Sequence, residues 1–223
     1  MSTVLIIGAT RGLGLEFARQ YVAAGERVLA TARDAAGRAR LQALGVENVL
    51  TVDVADPASV SGLAWMLDGE KIDTALYVAG AMERGDALSP PTQQQFDRVM
   101  HTNVLGAMQA LVQVAPLVEA AQGRFAFISS SLGRIGEVES SHTWLYRVSK
   151  AALNMAVASA QHDYPQATLV ALNPGWVQTD MGGDQAPLTA PESVAAMRAT
   201  LARLTPAQRG QFLERDGSPF ASW

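Results

Sequence analysis

The chain has 223 residues, 48% hydrophobic and 17% charged, with a net charge of −4. That fits one globular domain with a substantial core and offers no basic surface for a nucleic-acid backbone. Cysteine is absent, which excludes disulfides, thiolate catalysis and cysteine metal sites. His101, His142 and His162 lie far apart, so no metal site is expected.

Met1 runs into the apolar segment Val4-Ile7, which ends at a glycine and is too short for a signal sequence. No apolar run approaches ~18 residues. No membrane contact is expected, and the default location is cytoplasmic.

Strand-like and helical runs then alternate. Val4-Ile7 reads as a strand, Leu13-Ala24 as a helix closed by Gly25, and Val28-Thr31 as a second strand. Arg38-Leu44 is a short helix stopped by Gly45, Val49-Val52 a third strand, and Pro57-Leu67 a helix opened by proline. Ile72-Val78 is a fourth strand. Thr92-Met100 and Val104-Ala120 are two helices, and Phe125-Ile128 is a fifth strand. Ser149-His162 is a helix, Thr168-Leu172 a sixth strand, Pro191-Leu204 a late helix and Gly210-Leu213 a last strand. Short apolar strands alternating with helices predict an α/β fold with a parallel sheet covered on both faces. The expectation is one doubly wound domain of about seven strands over residues 1–223. A loop near 181–190 is expected to face substrate.

Gly8-Ala9-Thr10-Arg11-Gly12-Leu13-Gly14 follows the first strand and opens the first helix. Glycines there permit a tight turn, and the helix N-terminus offers free N–H groups to a pyrophosphate. A dinucleotide is therefore expected. Enzymes that prefer NAD(H) usually place a carboxylate after the second strand. Here that strand ends Ala30-Thr31-Ala32-Arg33, and the first carboxylate is Asp34. Arg33 and Arg11 suit a 2′-phosphate, which favours NADP(H), with NAD(H) as the alternative.

Tyr146 and Lys150 stand four apart, one helical turn, on a common face. An ammonium beside a phenol favours the phenolate, so Lys150 is expected to lower the Tyr146 pKa toward working pH. Only two of the chain's 17 basic residues are lysines. A lysine at this position suggests chemistry that a permanently charged guanidinium cannot do.

With these two motifs in place, the chain resembles the short-chain dehydrogenase/reductase family over nearly its whole length. The glycine loop looks like the family's cofactor loop, and Asp53-Val54 like its adenine contact. Tyr77-Val78-Ala79-Gly80 stands where the family usually has Asn-Asn-Ala-Gly. Asn103, in His101-Thr102-Asn103-Val104, matches the catalytic asparagine. Asn173-Pro174-Gly175-Trp176-Val177-Gln178-Thr179 is similar to the nicotinamide-side loop. Many members carry the catalytic serine 13 positions before the tyrosine, but that position is Gly133 here. Ser129-Ser130-Ser131-Leu132-Gly133 points instead to Ser130, with Ser131 as runner-up. The flavour is that of the small carbonyl-reductase branch that includes sniffer and the bacterial C-factor proteins.

The resemblance implies hydride transfer between a nicotinamide and a carbonyl or alcohol. Tyr146 would supply the proton and Ser130 would bond the same oxygen. Lys150 would tune the phenol and touch the nicotinamide ribose, and the Asn103 backbone would hold a water in a local helix distortion. Expected cofactor contacts are Gly8, Thr10, Arg11, Gly12, Leu13, Gly14, Arg33, Asp53, Val54, Ala79, Gly80, Tyr146, Lys150, Pro174, Gly175, Val177 and Thr179. In isolation Ser130 also reads as a strand-end cap and Asn103 as a helix N-cap.

Leu132, Trp144, Trp176 and Met181 are expected to line the substrate pocket, with Ile135 and His142 nearby. No basic residue is clearly placed for an acidic substrate, so a small apolar carbonyl or alcohol is expected. The apolar helices Val104-Ala120 and Ser149-His162 suggest a homodimer. A regulatory protein of C-factor type, binding cofactor with little turnover, is the alternative. An epimerase or dehydratase is disfavoured by the roughly 50 residues after Leu172.

Overall fold

Seven short strands pair in parallel in the order β3-β2-β1-β4-β5-β6-β7 in a computed structural model that describes residues 1–223. They are β1 (Thr3–Ile7), β2 (Arg27–Ala32), β3 (Asn48–Thr51), β4 (Thr74–Tyr77), β5 (Arg124–Ile128), β6 (Thr168–Asn173) and β7 (Phe212–Glu214). The intervening helices are α1 (Gly12–Ala23), α2 (Ala35–Ala43), α3 (Pro57–Ser61), α4 (Leu63–Met66), α5 (Gln93–Met100), α6 (Gly106–Ala120), α7 (Trp144–Ala160) and α8 (Ala190–Arg203). This is the expected doubly wound sheet.

Strand alternation produces the layering. In β1, Leu5 and Ile7 join an apolar cluster of 23 residues with Val114, Leu153 and Val157, under α6 and α7. Val4 and Ile6 join a second cluster of 21 with Phe17, Leu41 and Met197, under α1, α2 and α8. Side chains on a strand point alternately to opposite faces, so both faces must be apolar. Phe125 and Phe127, with ring centroids 4.2 Å apart, anchor the first cluster. Burying a side chain of this size stabilises by about 2–3 kcal/mol.

The strand order reverses between β1 and β4, and the crevice at that point is where such folds bind ligands. Close packing there restricts the glycines. Gly8 has φ +89°, and a Cβ on it would lie 2.5 Å from the Ala79 nitrogen.

Three element boundaries depart from expectation. The run 57–67 is two short helices, with Gly62 between them. The helices expected at Thr92–Met100 and Val104–Ala120 are joined by a π-helical turn, His101–Leu105. Helix α7 begins at Trp144, five residues before the expected Ser149, so Tyr146 lies inside it. No side chain caps this start. Thr143 turns the chain in with φ +56°, and its carbonyl accepts the Arg147 N–H at 3.0 Å. No helix is long and apolar enough to cross a membrane.

Candidate active site

A cavity of about 840 Å³ opens along the C-terminal ends of the strands. It gathers nearly every residue singled out from the sequence: the glycine loop, Arg33, Asp53-Val54, Ala79-Gly80, Ser130, Leu132, Tyr146, Lys150 and the loop from Pro174 to Met181. Trp144 is not on its wall but exposed at the start of α7, and Ile135 is exposed as well. His142 is exposed and does line the cavity.

At one end the wall suits a phosphorylated dinucleotide. Helix α1 has no side-chain cap and no acidic residue in its first turn, which leaves its N-terminal N–H groups for an anion. Asp34, the nearest carboxylate after β2, accepts the Gly37 N–H at 2.7 Å as the cap of α2. It is absent from the cavity wall, while Arg11 and Arg33 are on it. The Thr31 hydroxyl, a contact the sequence did not flag, accepts the Gly8 N–H at 2.9 Å. The loop that follows β6 is closed on itself. The Trp176 indole N–H donates to the Gly182 carbonyl at 2.8 Å, and Val177 bridges Leu188. A Cβ on Gly182 would meet the Val177 oxygen at 2.0 Å, and one on Gly80 would lie 4.0 Å from the Met181 Cε.

At the centre, β5 ends in three serines with separate fates. The Ser129 hydroxyl is buried and donates to Asn154 Oδ1 at 2.5 Å. The exposed Ser131 donates its backbone N–H to Asn173 Oδ1 at 3.1 Å. The Ser130 oxygen accepts the Leu132 N–H at 3.2 Å, and its hydroxyl stands beside the Tyr146 phenol. Ser130 is thus both a local cap and a partner of Tyr146. Gly133 lets this turn sit against α7, since a Cβ there would lie 2.9 Å from the Lys150 carbonyl carbon.

Lys150 and Tyr146 are both buried. The Lys150 ammonium donates to the Ile128 carbonyl at 2.7 Å and lies 5.5 Å from the centre of the Tyr146 ring. The expected pKa effect is not what the geometry produces. Burial pushes the Tyr146 phenol up to about 12, and the Ser130 hydroxyl beside it offsets only part of that. Burial also pushes Lys150 down, to about 8. Desolvation dominates both shifts, and the ammonium is bonded to the Ile128 carbonyl.

Asn103 is no helix cap. It lies in the middle of the π turn, fully buried and behind the cavity wall. Its amide donates to the Ala81 carbonyl at 2.8 Å and to Ser149 Oγ at 2.9 Å, and its oxygen accepts the Ala81 N–H at 2.7 Å. It therefore locks the segment after β4 to α7. Tyr77 is part of the same brace, since its hydroxyl donates to the Thr102 carbonyl at 2.6 Å.

The other end of the cavity holds what the sequence reading missed. Arg84, Arg98 and Arg147 all line it, although no basic residue was expected near the substrate. They come from three separate segments, and no local motif links them.

The comparisons with known proteins agree with this architecture. A family model described as short chain dehydrogenase matches residues 2–188. A 1-hydroxy-2-glutathionyl-2-methyl-3-butene dehydrogenase of Rhodococcus is 32% identical, over the full length of both chains. The carbonyl reductase Sniffer of D. melanogaster superposes with a TM-score of 0.91 at 28% identity, covering all of both chains. A carbonyl reductase from Pseudomonas aeruginosa, solved in complex with NADP, superposes with a TM-score of 0.86 at 31% identity, again over all of both chains.

Proposed function

Because the chain belongs to the short-chain dehydrogenase/reductase family and is an oxidoreductase, we propose that it transfers hydride between NADP(H) and a small carbonyl or alcohol compound, with Tyr146 as the proton donor. The observation that carries this reading is the placement of Ser130, Tyr146 and Lys150 on one cavity wall, beside an uncapped helix N-terminus and two arginines. NADP-bound relatives of the same fold support the cofactor.

Bound nicotinamide supplies the hydride for reduction or accepts it for oxidation. Arg11 and Arg33 would bind the 2′-phosphate, and the first turn of α1 would bind the pyrophosphate. Asp53 and Val54 would hold the adenine side, and Val177 and Thr179 the carboxamide. In the reducing direction Tyr146 donates its phenolic proton to the carbonyl oxygen. Ser130 donates its O–H to the same oxygen and stabilises the charge that develops there. Lys150 spends one of its three N–H bonds on Ile128 and keeps two for the nicotinamide ribose and a proton-carrying water. The Asn103 backbone, held in the π turn, positions that water. Leu132, Trp176 and Met181 enclose the reacting end of the substrate.

A homodimer belongs to the same proposal. Leu105 at the end of the π turn continues into Met108 and Val112 of α6 as an exposed apolar stripe, and Val148 and Met155 form one along α7. The test of function is NADPH oxidation over a panel of aldehydes, ketones and quinones. Turnover that requires NADPH and a carbonyl supports the reading, and none on any compound contradicts it.

A further inference from the structure

Six basic residues and two acidic ones line the cavity, in a chain where acidic residues outnumber basic ones by 21 to 17. Arg11 and Arg33 face the ribose end, and Lys150 is bonded to the Ile128 carbonyl beside Tyr146. The other three lie on the segment after β4 (Arg84), on α5 (Arg98) and on α7 (Arg147). Of the two acidic residues, only Asp180 lies outside the adenosine end.

Backbone contacts hold these three segments together. The Trp144 N–H at the head of α7 donates to the Gly85 carbonyl at 3.3 Å. Arg98 donates to the Met82 carbonyl at 3.0 Å and is ion-paired with Glu83. Its charge is therefore matched, and it braces the loop that carries Arg84. The other two arginines are unmatched. Neither takes part in any of the chain's four salt bridges. Arg147 follows Tyr146 directly and is half-buried. It uses only its Nε, on the His142 carbonyl at 2.8 Å, so both terminal nitrogens are free.

We propose that Arg84 and Arg147 form an anion subsite, so that the substrate is a carbonyl compound bearing a carboxylate, or the matching hydroxy acid. This rests on the hydride-transfer reading of the same site and narrows its substrate class. A guanidinium offers paired N–H donors in the geometry of a carboxylate, and a cleft with an excess of one sign of charge concentrates ligands of the other. The apolar wall of Leu132, Trp176 and Met181 receives the body of the molecule, and the two arginines receive its acid group.

The test compares 4-formylbenzoate with its methyl ester. With the protein saturated by NADP⁺ no reduction takes place, so equilibrium binding reads the subsite alone. The acid is expected to bind about tenfold more tightly than the ester at low salt. That preference is expected to shrink at 0.5 M salt and to fall toward one in the Arg84→Gln/Arg147→Gln double variant. Equal affinity of the wild type for both compounds, or a preference that survives in the double variant, overturns the subsite. Turnover of the same pair with NADPH reads the underlying function separately. If both are reduced but bind alike, hydride transfer stands and the subsite falls. If the acid binds more tightly but neither is reduced, the subsite stands and the hydride-transfer reading falls.

Discussion

The Lys150 ammonium donates to the carbonyl of Ile128 at 2.7 Å, which fixes a buried cation at the end of β5, two residues before Ser130. One hydrogen bond does not replace a hydration shell, so burial drives the lysine pKa down to about 8. The site holds this charge at a cost to stability.

That cost predicts a pH-dependent difference between wild type and Lys150→Met. Below about pH 8 Lys150 is charged in both folded and unfolded states, and the folded state carries the full burial cost. Between about 8 and the ordinary value of 10.5 the unfolded chain alone holds the proton, so wild-type stability rises with pH. Lys150→Met lacks this term. It is expected to be more stable than wild type at pH 7, by on the order of 2 kcal/mol, with the gap closing toward pH 10. Thermal melts from pH 6.5 to 10 check this, and a variant less stable than wild type at neutral pH contradicts it.

Tyr77 replaces the asparagine usual in the family, and its hydroxyl serves the π turn at the Thr102 carbonyl. Burial and the nearby Asp53 charge both push its pKa up, so it stays a neutral donor. Tyr77→Phe leaves that carbonyl without its partner and is expected to cost about 1–3 kcal/mol in urea unfolding. Because the turn carries Asn103, kcat is expected to fall more than KM rises. An unchanged kcat with lower stability assigns Tyr77 to the fold alone.

Asp34 caps α2, and Arg11 and Arg33 are the residues proposed to bind the 2′-phosphate. Arg33→Ala is expected to weaken NADPH binding at least tenfold and NADH binding by less than threefold. Titrating both cofactors by fluorescence measures the two constants. Equal losses for both would mean that Arg33 does not read the 2′-phosphate.

Much of this was legible in the letters. Each strand is a short apolar run bounded by polar or glycine residues, and both sheet faces are buried, so the parallel architecture follows directly. Tyr146 and Lys150 sit at a recognisable spacing, whereas Ser130 stands off the usual one and was picked out by the Ser-Ser-x-x-Gly pattern. The π turn at His101–Leu105 was anticipated only as the local helix distortion that the family resemblance implies at Asn103, because no residue type marks an inserted residue in a helix. The early start of α7 has no capping side chain to announce it. The shift of Tyr146 to about 12 depends on burial and on where the Lys150 nitrogen points, and neither follows from a four-residue spacing. Arg84 and Arg147 are 63 positions apart, and only the fold brings them to one cavity.

The exposed stripes on α6 and α7 predict a dimer that charge breaks. Val112→Glu/Met155→Glu is expected to sediment as a monomer at concentrations where wild type is a dimer, with its helical circular dichroism unchanged. A monomeric wild type contradicts the dimer.

The proton role of Tyr146 is tested most directly by the rate of NADPH-dependent carbonyl reduction in Tyr146→Phe, measured alongside NADPH affinity. The phenyl ring fills the same space but has no proton to give. The expected result is a loss of about 10²–10⁴ in kcat, with the NADPH dissociation constant changed less than threefold. A variant that reduces the same carbonyl within threefold of the wild-type rate contradicts the account.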